Sequence, residues 1–209
     1  MKINTRQLIL DKSLKLFSIN GFEGVSVKEI ANEVGIKDSS LYKHFNSKQA
    51  IFDTLLAEMN EKFEQRVTDY KLPQGDIATV ATSYAKNDFA DLKRACETVF
   101  EFFLKDEKAA QFRRMLTIEQ MKNEKVSETF KSWFLDDAID FQTNLISQLM
   151  NQNYLLKNDP SILALQFYAP FYTLIIQYDM EPKKYDEARS KLLAHIDLFL
   201  MSNKTEKEN

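Results

Sequence analysis

The stretch Ser26–Phe45, SVKEIANEVGIKDSSLYKHF, predicts two short helices joined at a glycine. Ser26 followed by Glu29 has capping-box spacing, so a helix can start at Val27 with two of its free amides satisfied. Gly35 stands where this helix must end, because glycine tolerates the left-handed conformation that terminates helices. Apolar residues recur at helical spacing on one face between these two signals: Val27, Ile30, Ala31 and Val34.

The residues after the glycine predict a second helix with one apolar and one polar face. Asp38 or Ser39 can cap its start, and Leu41 and Phe45 lie four apart on its inner face. A helix, a short turn with glycine and a second helix form the helix-turn-helix pattern, in which the second helix enters the DNA major groove. Two packed helices of an ordinary bundle are the alternative. The outward-facing side chains are polar and partly basic: Lys37, Ser39, Ser40, Tyr42, Lys43 and His44.

Further motifs surround this pattern. Tyr42, His44 and Phe45 form Y-x-H-F, and another helix opens at 46–48. Upstream stand the pairs Leu16-Phe17 and Gly21-Phe22. In combination, these motifs resemble the N-terminal DNA-binding domain of the TetR family of bacterial transcriptional regulators over about residues 5–55. The rest of the chain is similar to the family in length and helical character.

The resemblance implies that Ser26, Tyr42 and Lys48 contact DNA phosphates. Asp38 departs from the small or neutral residue that many relatives carry near this position. A carboxylate facing DNA would repel phosphate, so Asp38 is interpreted as a helix cap or as a contact to a cytosine amine. The alternative for each of these residues is a solvated surface side chain. Side chains that can reach base edges are Lys37, Ser39, Ser40 and Lys43, with His44 beside them.

The composition favours an all-α protein of 209 residues. No glycine follows Gly75, and a run of 134 residues without glycine is poorly suited to β-hairpins, which use glycine in their turns. Apolar periodicity, caps and breaks predict helices over about 5–19, 27–34, from 38, 48–70, 76–86, 89–105, from 106, 127–151, 161–180 and 183–201.

Charge is distributed unevenly along the chain. The net charge is −3, but residues 1–48 hold eight Lys or Arg and five Asp or Glu, a balance of +3 that leaves −6 for the remainder. A basic segment on an acidic protein suits a DNA-facing head. We therefore predict a helix-turn-helix domain at 1–47 and a helical effector-binding and dimerisation domain at 48–209, linked by the helix 48–70.

The second predicted domain is rich in aromatic and methionine side chains, which at helical spacing usually form a core. The family resemblance implies instead a cavity between its helices for a small effector. Such a lining suits a hydrophobic or aromatic ligand. The candidate effector-binding residues are Phe100, Phe103, Met115, Trp133, Phe134 and Tyr168.

The last two predicted helices carry more apolar surface than a monomer needs. No charge lies between Pro160 and Asp179, so this surface must be covered by the rest of the chain or by a partner. The family pairs its last two helices, here 161–180 and 183–201, with those of a second subunit. Two heads would then read two half-sites of a palindromic operator, about 34 Å apart or more.

The sequence lacks the patterns of enzymes and metalloproteins. With only His44 and His195 there is no H-E-x-x-H motif, and there is no phosphate-binding loop or dinucleotide fingerprint. Cys96 is the only cysteine and lies mid-helix among apolar residues, which favours an inert thiol. We expect no catalysis, no cofactor and no metal. The polar N-terminus and the lack of a long apolar run predict a cytoplasmic protein without a signal peptide or membrane span.

These observations predict a homodimeric regulator, most simply a repressor, that leaves its operator when an effector occupies the second domain. The ligand would favour a conformation in which the helix 48–70 has swung, since it can shift an equilibrium only by its differential affinity for two states. One alternative is a constitutive DNA-binding or partner-binding protein without a small-molecule ligand. A helical-bundle enzyme is the third hypothesis, and the missing motifs argue against it.

Overall fold

The computed structural model describes residues 4–69 and 75–205. Helices make up the regular structure of these residues, which confirms the all-α prediction. Short 3-10 turns occupy Lys86–Phe89 and Pro182–Lys184, and a π-helical turn occupies Ser132–Asp136. The helices are α1 Thr5–Asn20, α2 Val27–Val34, α3 Asp38–Leu41, α4 Lys48–Asp69, α5 Ile77–Ala85, α6 Ala90–Lys105, α7 Glu107–Glu119, α8 Glu124–Lys131, α9 Asp137–Asn151, α10 Pro160–Gln177 and α11 Tyr185–Asn203.

Contacts divide the chain into two compact units. The first unit joins Met1–Arg66 with Glu107–Phe130, so that α7 and α8 belong with the N-terminal helices. In it α1 packs against α2 and α7, and α2 packs against α3. The Phe22 ring lies edge-on between those of Phe17 and Phe52, with both centroid distances 5.3 Å. The buried core of the first unit includes the side chains of Ile9, Leu10, Leu14, Ile30, Leu41, Phe45, Ile51, Leu55, Phe112 and Leu116.

The second unit comprises Val67–Asp106 and Lys131–Asn209. Within it α9 packs against α5 and α10, and α6 contacts α5, α10 and α11. These units do not coincide with the sequence-based domains 1–47 and 48–209, because side chains of α4 and α7 are buried in the first unit. None of the helices in the described part of the chain has the length and apolar character needed to cross a membrane.

Two local predictions are wrong. The single helix predicted over 127–151 is two helices, α8 and α9, with the π-helical turn between them. The sequence also predicts Asn87 and Asp88 as the cap of the helix 89–105, but they do not cap α6, whose N-cap is Phe89. They and Phe89 are left-handed, with φ of 50°, 56° and 62°, and the turn carries Phe89 into the core, where it is 1% exposed. Burial of this ring offsets the cost of a conformation that non-glycine residues seldom adopt.

Candidate nucleic-acid interface

The start of α2 carries the capping box that the sequence predicts. The Ser26 hydroxyl accepts the Glu29 N–H at 3.2 Å, and a Glu29 carboxylate oxygen accepts the Ser26 N–H at 2.7 Å. The hydrogen bond from the Ser26 N–H is the main reason that the pKa of Glu29 is lowered. The backbone N–H and the hydroxyl of Ser26 both face this carboxylate. An incoming phosphate would therefore meet the following amides of the first turn more readily than Ser26 itself.

The turn between α2 and α3 is closed by backbone bonds. Gly35 is left-handed, with φ 79° and ψ 32°, and the Ile36 N–H donates to the Ala31 carbonyl at 2.9 Å. These two features form the glycine-based C-cap expected for a helix that must turn sharply. The fully buried Leu41 side chain anchors α3 behind the turn. The polar residues that precede and follow Leu41 are thereby directed to the surface.

The side chains predicted to contact DNA lie together around α3. Lys37, Ser39, Lys43 and His44 are exposed, and Ser40 is half-buried. The Tyr42 side chain is 50% exposed, unusually open for an aromatic ring. The predicted side-chain cap from Asp38 or Ser39 is wrong: Lys37 occupies the cap position without a side-chain cap bond. Asp38 is instead an exposed residue of the first turn of α3.

Lys48 has a more buried setting than the other predicted DNA ligands. Its Nζ donates to the carbonyl oxygens of Phe22 at 2.7 Å and Val25 at 3.0 Å. It also lies 4.3 Å from the Phe22 ring centroid and 3.8 Å from a carboxylate oxygen of Glu23. Two of the three ammonium protons are used in these bonds. Lys48 therefore ties the start of α4 to the turn between α1 and α2.

Arg6 is a basic residue at this surface that the sequence analysis did not identify. Its guanidinium carbon lies 4.8 Å from the centroid of the Phe45 ring, and its side chain is exposed. Phe45 directly follows His44, so the stacking holds a positive charge beside the residues around α3. Nothing in the local sequence pairs these two residues, since the contact depends on how α1 packs on the helix-turn-helix.

Five of the six predicted effector-binding residues lie in the second unit, where they form an aromatic cluster through two further rings. The Phe103 and Phe134 ring centroids are 5.3 Å apart, and Trp133 lies 6.2 Å from Phe134. Met115 is fully buried in the first unit, on α7. The sequence analysis did not select Phe171 and Tyr172, although helical spacing from Tyr168 places all three on one face. Their rings connect the cluster. The distances between ring centroids are 5.6 Å (Phe100–Phe171), 5.9 Å (Tyr168–Phe171), 6.0 Å (Phe134–Tyr172) and 6.3 Å (Tyr168–Tyr172).

The π-helical turn supplies a polar backbone group to this cluster. The Tyr168 hydroxyl donates to the Phe134 carbonyl oxygen at 2.7 Å, and burial raises the pKa of Tyr168. π-helical turns occur often at functional sites, because they release backbone groups from the regular helical ladder. The centre of the cluster is shielded from solvent, with Phe100 at 0% and Phe134 at 1% exposure.

An open groove of about 570 Å³ lies elsewhere in the second unit, and none of the predicted effector-binding residues lines it. Lys93 and Asp197 form an ion pair across it at 2.5 Å, and Lys204 pairs with Asp88. Because these charges neutralise each other and the groove is open to solvent, the aromatic cluster is the better candidate for an apolar ligand.

The other residues singled out for chemistry have structural settings. Burial, with a smaller effect of Glu97, raises the pKa of Cys96 to about 12, which leaves the thiol protonated and unreactive at neutral pH. The Nε2 atom of His195 lies 2.9 Å from the Phe167 carbonyl oxygen. Among the residues that the structure describes, no three His, Cys, Asp or Glu side chains are grouped as a metal site.

Comparison with known proteins shows that the helix-turn-helix region matches a family model. Residues 9–55 match the family described as bacterial regulatory proteins, tetR family. The biofilm operon regulator IcaR of Staphylococcus aureus is 44% identical over 45 residues, which are 22% of this chain and 24% of IcaR. An uncharacterized HTH-type regulator of Bacillus subtilis, YdgC, is 28% identical over 124 residues, 58% of this chain and 60% of YdgC. The matched part of the chain thus spans about a quarter to three fifths of these relatives.

Solved structures share the fold over nearly the whole chain. The complex of SmeT with triclosan has a TM-score of 0.68 at 19% identity, covering 97% of this chain and 93% of SmeT. A transcriptional regulator of Saccharomonospora viridis in complex with choline has a TM-score of 0.66 at 19% identity, covering 92% and 95%. NalD of Pseudomonas aeruginosa has a TM-score of 0.63 at 20% identity, covering 97% and 98%. At these identities the likeness is one of fold.

Proposed function

We propose that the chain is a member of the TetR family of bacterial transcriptional regulators, that it binds a palindromic operator as a homodimer and that it represses transcription. A small hydrophobic or aromatic effector that enters the aromatic cluster would release it. The observation that carries the DNA-binding part is the exposed, partly basic set of side chains around α3, held outward by the buried Leu41. Members of this family are DNA-binding proteins and not enzymes.

The roles at the DNA follow from the chemistry of each side chain. Tyr42 can donate a hydrogen bond to a phosphate, and Lys43 and Lys37 supply mobile charges that reach phosphates or guanine edges. Ser39 and His44 can donate to or accept from bases in the major groove. Arg6 adds a positive charge next to the Phe45 ring. Lys48 has one ammonium N–H left to donate to a phosphate. Its main role is to hold the turn that precedes α2 in place.

Homodimerisation would cover the exposed apolar side chains of the last two helices. Ile162, Leu165 and Ile176 of α10 are 51%, 49% and 43% exposed, and Leu198 and Met201 of α11 are 63% and 81% exposed. The three α10 residues fall within one helical stripe. Contiguous apolar surface of this kind marks a protein interface, and two-fold pairing would bury it on both subunits.

The chain connectivity offers a route from effector to DNA. Phe103 lies on α6, four residues before α7 of the first unit begins at residue 107. Phe134 lies just after α8, at the other end of the same segment. The segment 107–130 is therefore held at both ends next to a pair of rings 5.3 Å apart. We propose that an effector that separates these rings acts on the first unit through this segment.

The ligands bound to two proteins of similar fold support an effector of this class. SmeT was solved with triclosan and the Saccharomonospora viridis regulator with choline. A cluster of aromatic rings suits a flat apolar ligand, and it also suits an organic cation, which ring faces attract. The complete burial of Phe100 and Phe134 favours the second candidate function, a regulator that binds DNA without an effector. A ligand-induced change in operator affinity would decide between the two.

The first experiment measures binding to DNA fragments from upstream of the protein's own gene across a salt series. We expect selective binding, with log affinity falling by about 0.9 per phosphate contact for each tenfold rise in salt. Tyr42→Phe should weaken binding by about tenfold, because a hydrogen bond to a charged group contributes about 1.5 kcal/mol. Tyr154→Phe, a half-buried tyrosine of the second unit, is the matched control. Binding no tighter than to random DNA at low salt would refute the proposal.

A charge in the proposed dimer interface should separate the subunits. Leu165→Asp is expected to raise the dimer dissociation constant at least about a hundredfold, since an unpaired carboxylate would be buried twice in a symmetric interface. Sedimentation equilibrium measures this constant directly. Leu156→Asp is the control, because Leu156 is similarly exposed, at 51%, and lies outside α10 and α11. A Leu165→Asp protein that remains dimeric would rule out this face as the interface.

A further inference from the structure

Glu119, the last residue of α7, is completely buried within the first unit. One carboxylate oxygen accepts the Glu23 N–H at 3.3 Å. The other is buried and, among the residues described, has no hydrogen-bond partner. A carboxylate in this position is disfavoured by the loss of water and by the negative end of the α7 dipole. The Glu119 carboxylate, which contacts the turn between α1 and α2, is thus a group that is costly to bury.

The absence of a side chain at Gly21 leaves room for this carboxylate. A Cβ atom at Gly21 would lie 2.0 Å from the bonded oxygen of Glu119, and Gly21 is left-handed with φ +76°. Glycine is therefore required at this position for two separate reasons, the close approach of Glu119 and the backbone conformation.

The turn that Glu119 contacts leads directly into the helix-turn-helix. Its carbonyl oxygens at Phe22 and Val25 are bound by Lys48, and its N–H at Glu23 is bound by Glu119. Val25 is 1% exposed, and the next residue caps α2. A shift of this turn would therefore move the start of α2 and, through the closed turn after it, α3.

We propose that Glu119 is a positioning residue for DNA binding, whose carboxylate fixes the turn from Gly21 to Val25 and thereby the placement of α2 and α3. The proposal rests on the proposed DNA-binding function and adds to it a residue that touches no DNA. It also gives the segment 107–130 a defined point of attachment to the helix-turn-helix.

Glu119→Met tests the proposal, because methionine fills a similar volume without accepting a hydrogen bond. Replacing a buried charge by a packed apolar side chain is often neutral or stabilising, so the melting temperature should not fall. Operator affinity should fall by about tenfold, the effect of losing one charge-assisted hydrogen bond. Glu119→Gln retains an acceptor oxygen and should bind operator within about threefold of wild type. Glu128→Met, at an exposed position of α8, should match wild type.

Amide hydrogen exchange in the free protein gives a second readout that does not depend on DNA. Glu119→Met should speed exchange at Glu23 while the core of α1 keeps its protection.

The outcomes separate this proposal from the proposed function. If wild type binds no DNA selectively, both fail. If wild type binds its operator and Glu119→Met binds it equally well, with unchanged Glu23 exchange, only the positioning role fails. A Glu119→Met protein that does not fold would make Glu119 a structural residue and would also overturn the proposal.

Discussion

Lys48→Ala is expected to lower the free energy of unfolding by about 3 kcal/mol and to abolish tight operator binding. The ammonium group bonds the carbonyls of Phe22 and Val25, and its side chain is only 21% exposed. Hydrogen bonds to a charged group contribute about 1.5–3 kcal/mol, and their loss here leaves two largely buried carbonyls without this partner. Because the turn they belong to precedes α2, operator affinity should fall by more than tenfold, beyond the loss of one phosphate contact.

Lys43→Ala separates the two effects of Lys48→Ala. Lys43 is exposed two residues after the end of α3, so its replacement should change stability by less than about 0.5 kcal/mol. It should weaken operator binding and reduce the salt slope by about 0.9. Urea unfolding and operator titration of both variants provide the comparison. A Lys48→Ala protein as stable as Lys43→Ala would mean that the bonds to the turn contribute nothing net, and that Lys48 acts only as a phosphate ligand.

The helix-turn-helix was predictable because its signals are local. The capping box at Ser26 and the left-handed Gly35 each need only residues within one turn of the helix, so the sequence predicts α2 with its observed bounds, Val27–Val34. The role of Lys48 was not predictable in the same way. Its carbonyl partners stand 23 and 26 residues earlier in the chain, and carbonyl groups carry no sequence signature.

The sequence also could not predict that α7 and α8 belong to the first unit. Their apolar stripes predict burial but do not say which helices cover them. The contacts that join these helices to the first unit include the ion pairs of Lys108 with Asp11 at 2.5 Å and of Lys125 with Asp53 at 3.2 Å, between residues far apart in the chain. The π-helical turn was missed for a related reason. The Phe134 carbonyl oxygen within it accepts a hydrogen bond from Tyr168 on α10, a tertiary contact that helical periodicity does not reveal.

Phe134→Ala is expected to destabilise the protein by about 3–5 kcal/mol and to create a cavity for an aromatic ligand. Phe134 is 1% exposed and packs against Phe103 and Tyr172 at 5.3 and 6.0 Å. Truncation of a buried phenylalanine removes its transfer energy and leaves unfilled space. Phe141→Ala is the matched control: Phe141 lies on α9, is 42% exposed and should cost less than about 1 kcal/mol.

Benzene then tests whether the cluster can hold a flat apolar molecule. An apolar cavity of this kind stays dry and binds benzene, and a ligand at 100 times its dissociation constant adds about 2.7 kcal/mol of stability. Benzene should therefore raise the melting temperature of Phe134→Ala and leave wild type and Phe141→Ala almost unchanged. If occupancy also lowers operator affinity in Phe134→Ala, the rings at the ends of the segment 107–130 are coupled to DNA binding. Stabilisation without any change in affinity would favour a regulator whose aromatic cluster is a core and not a sensor.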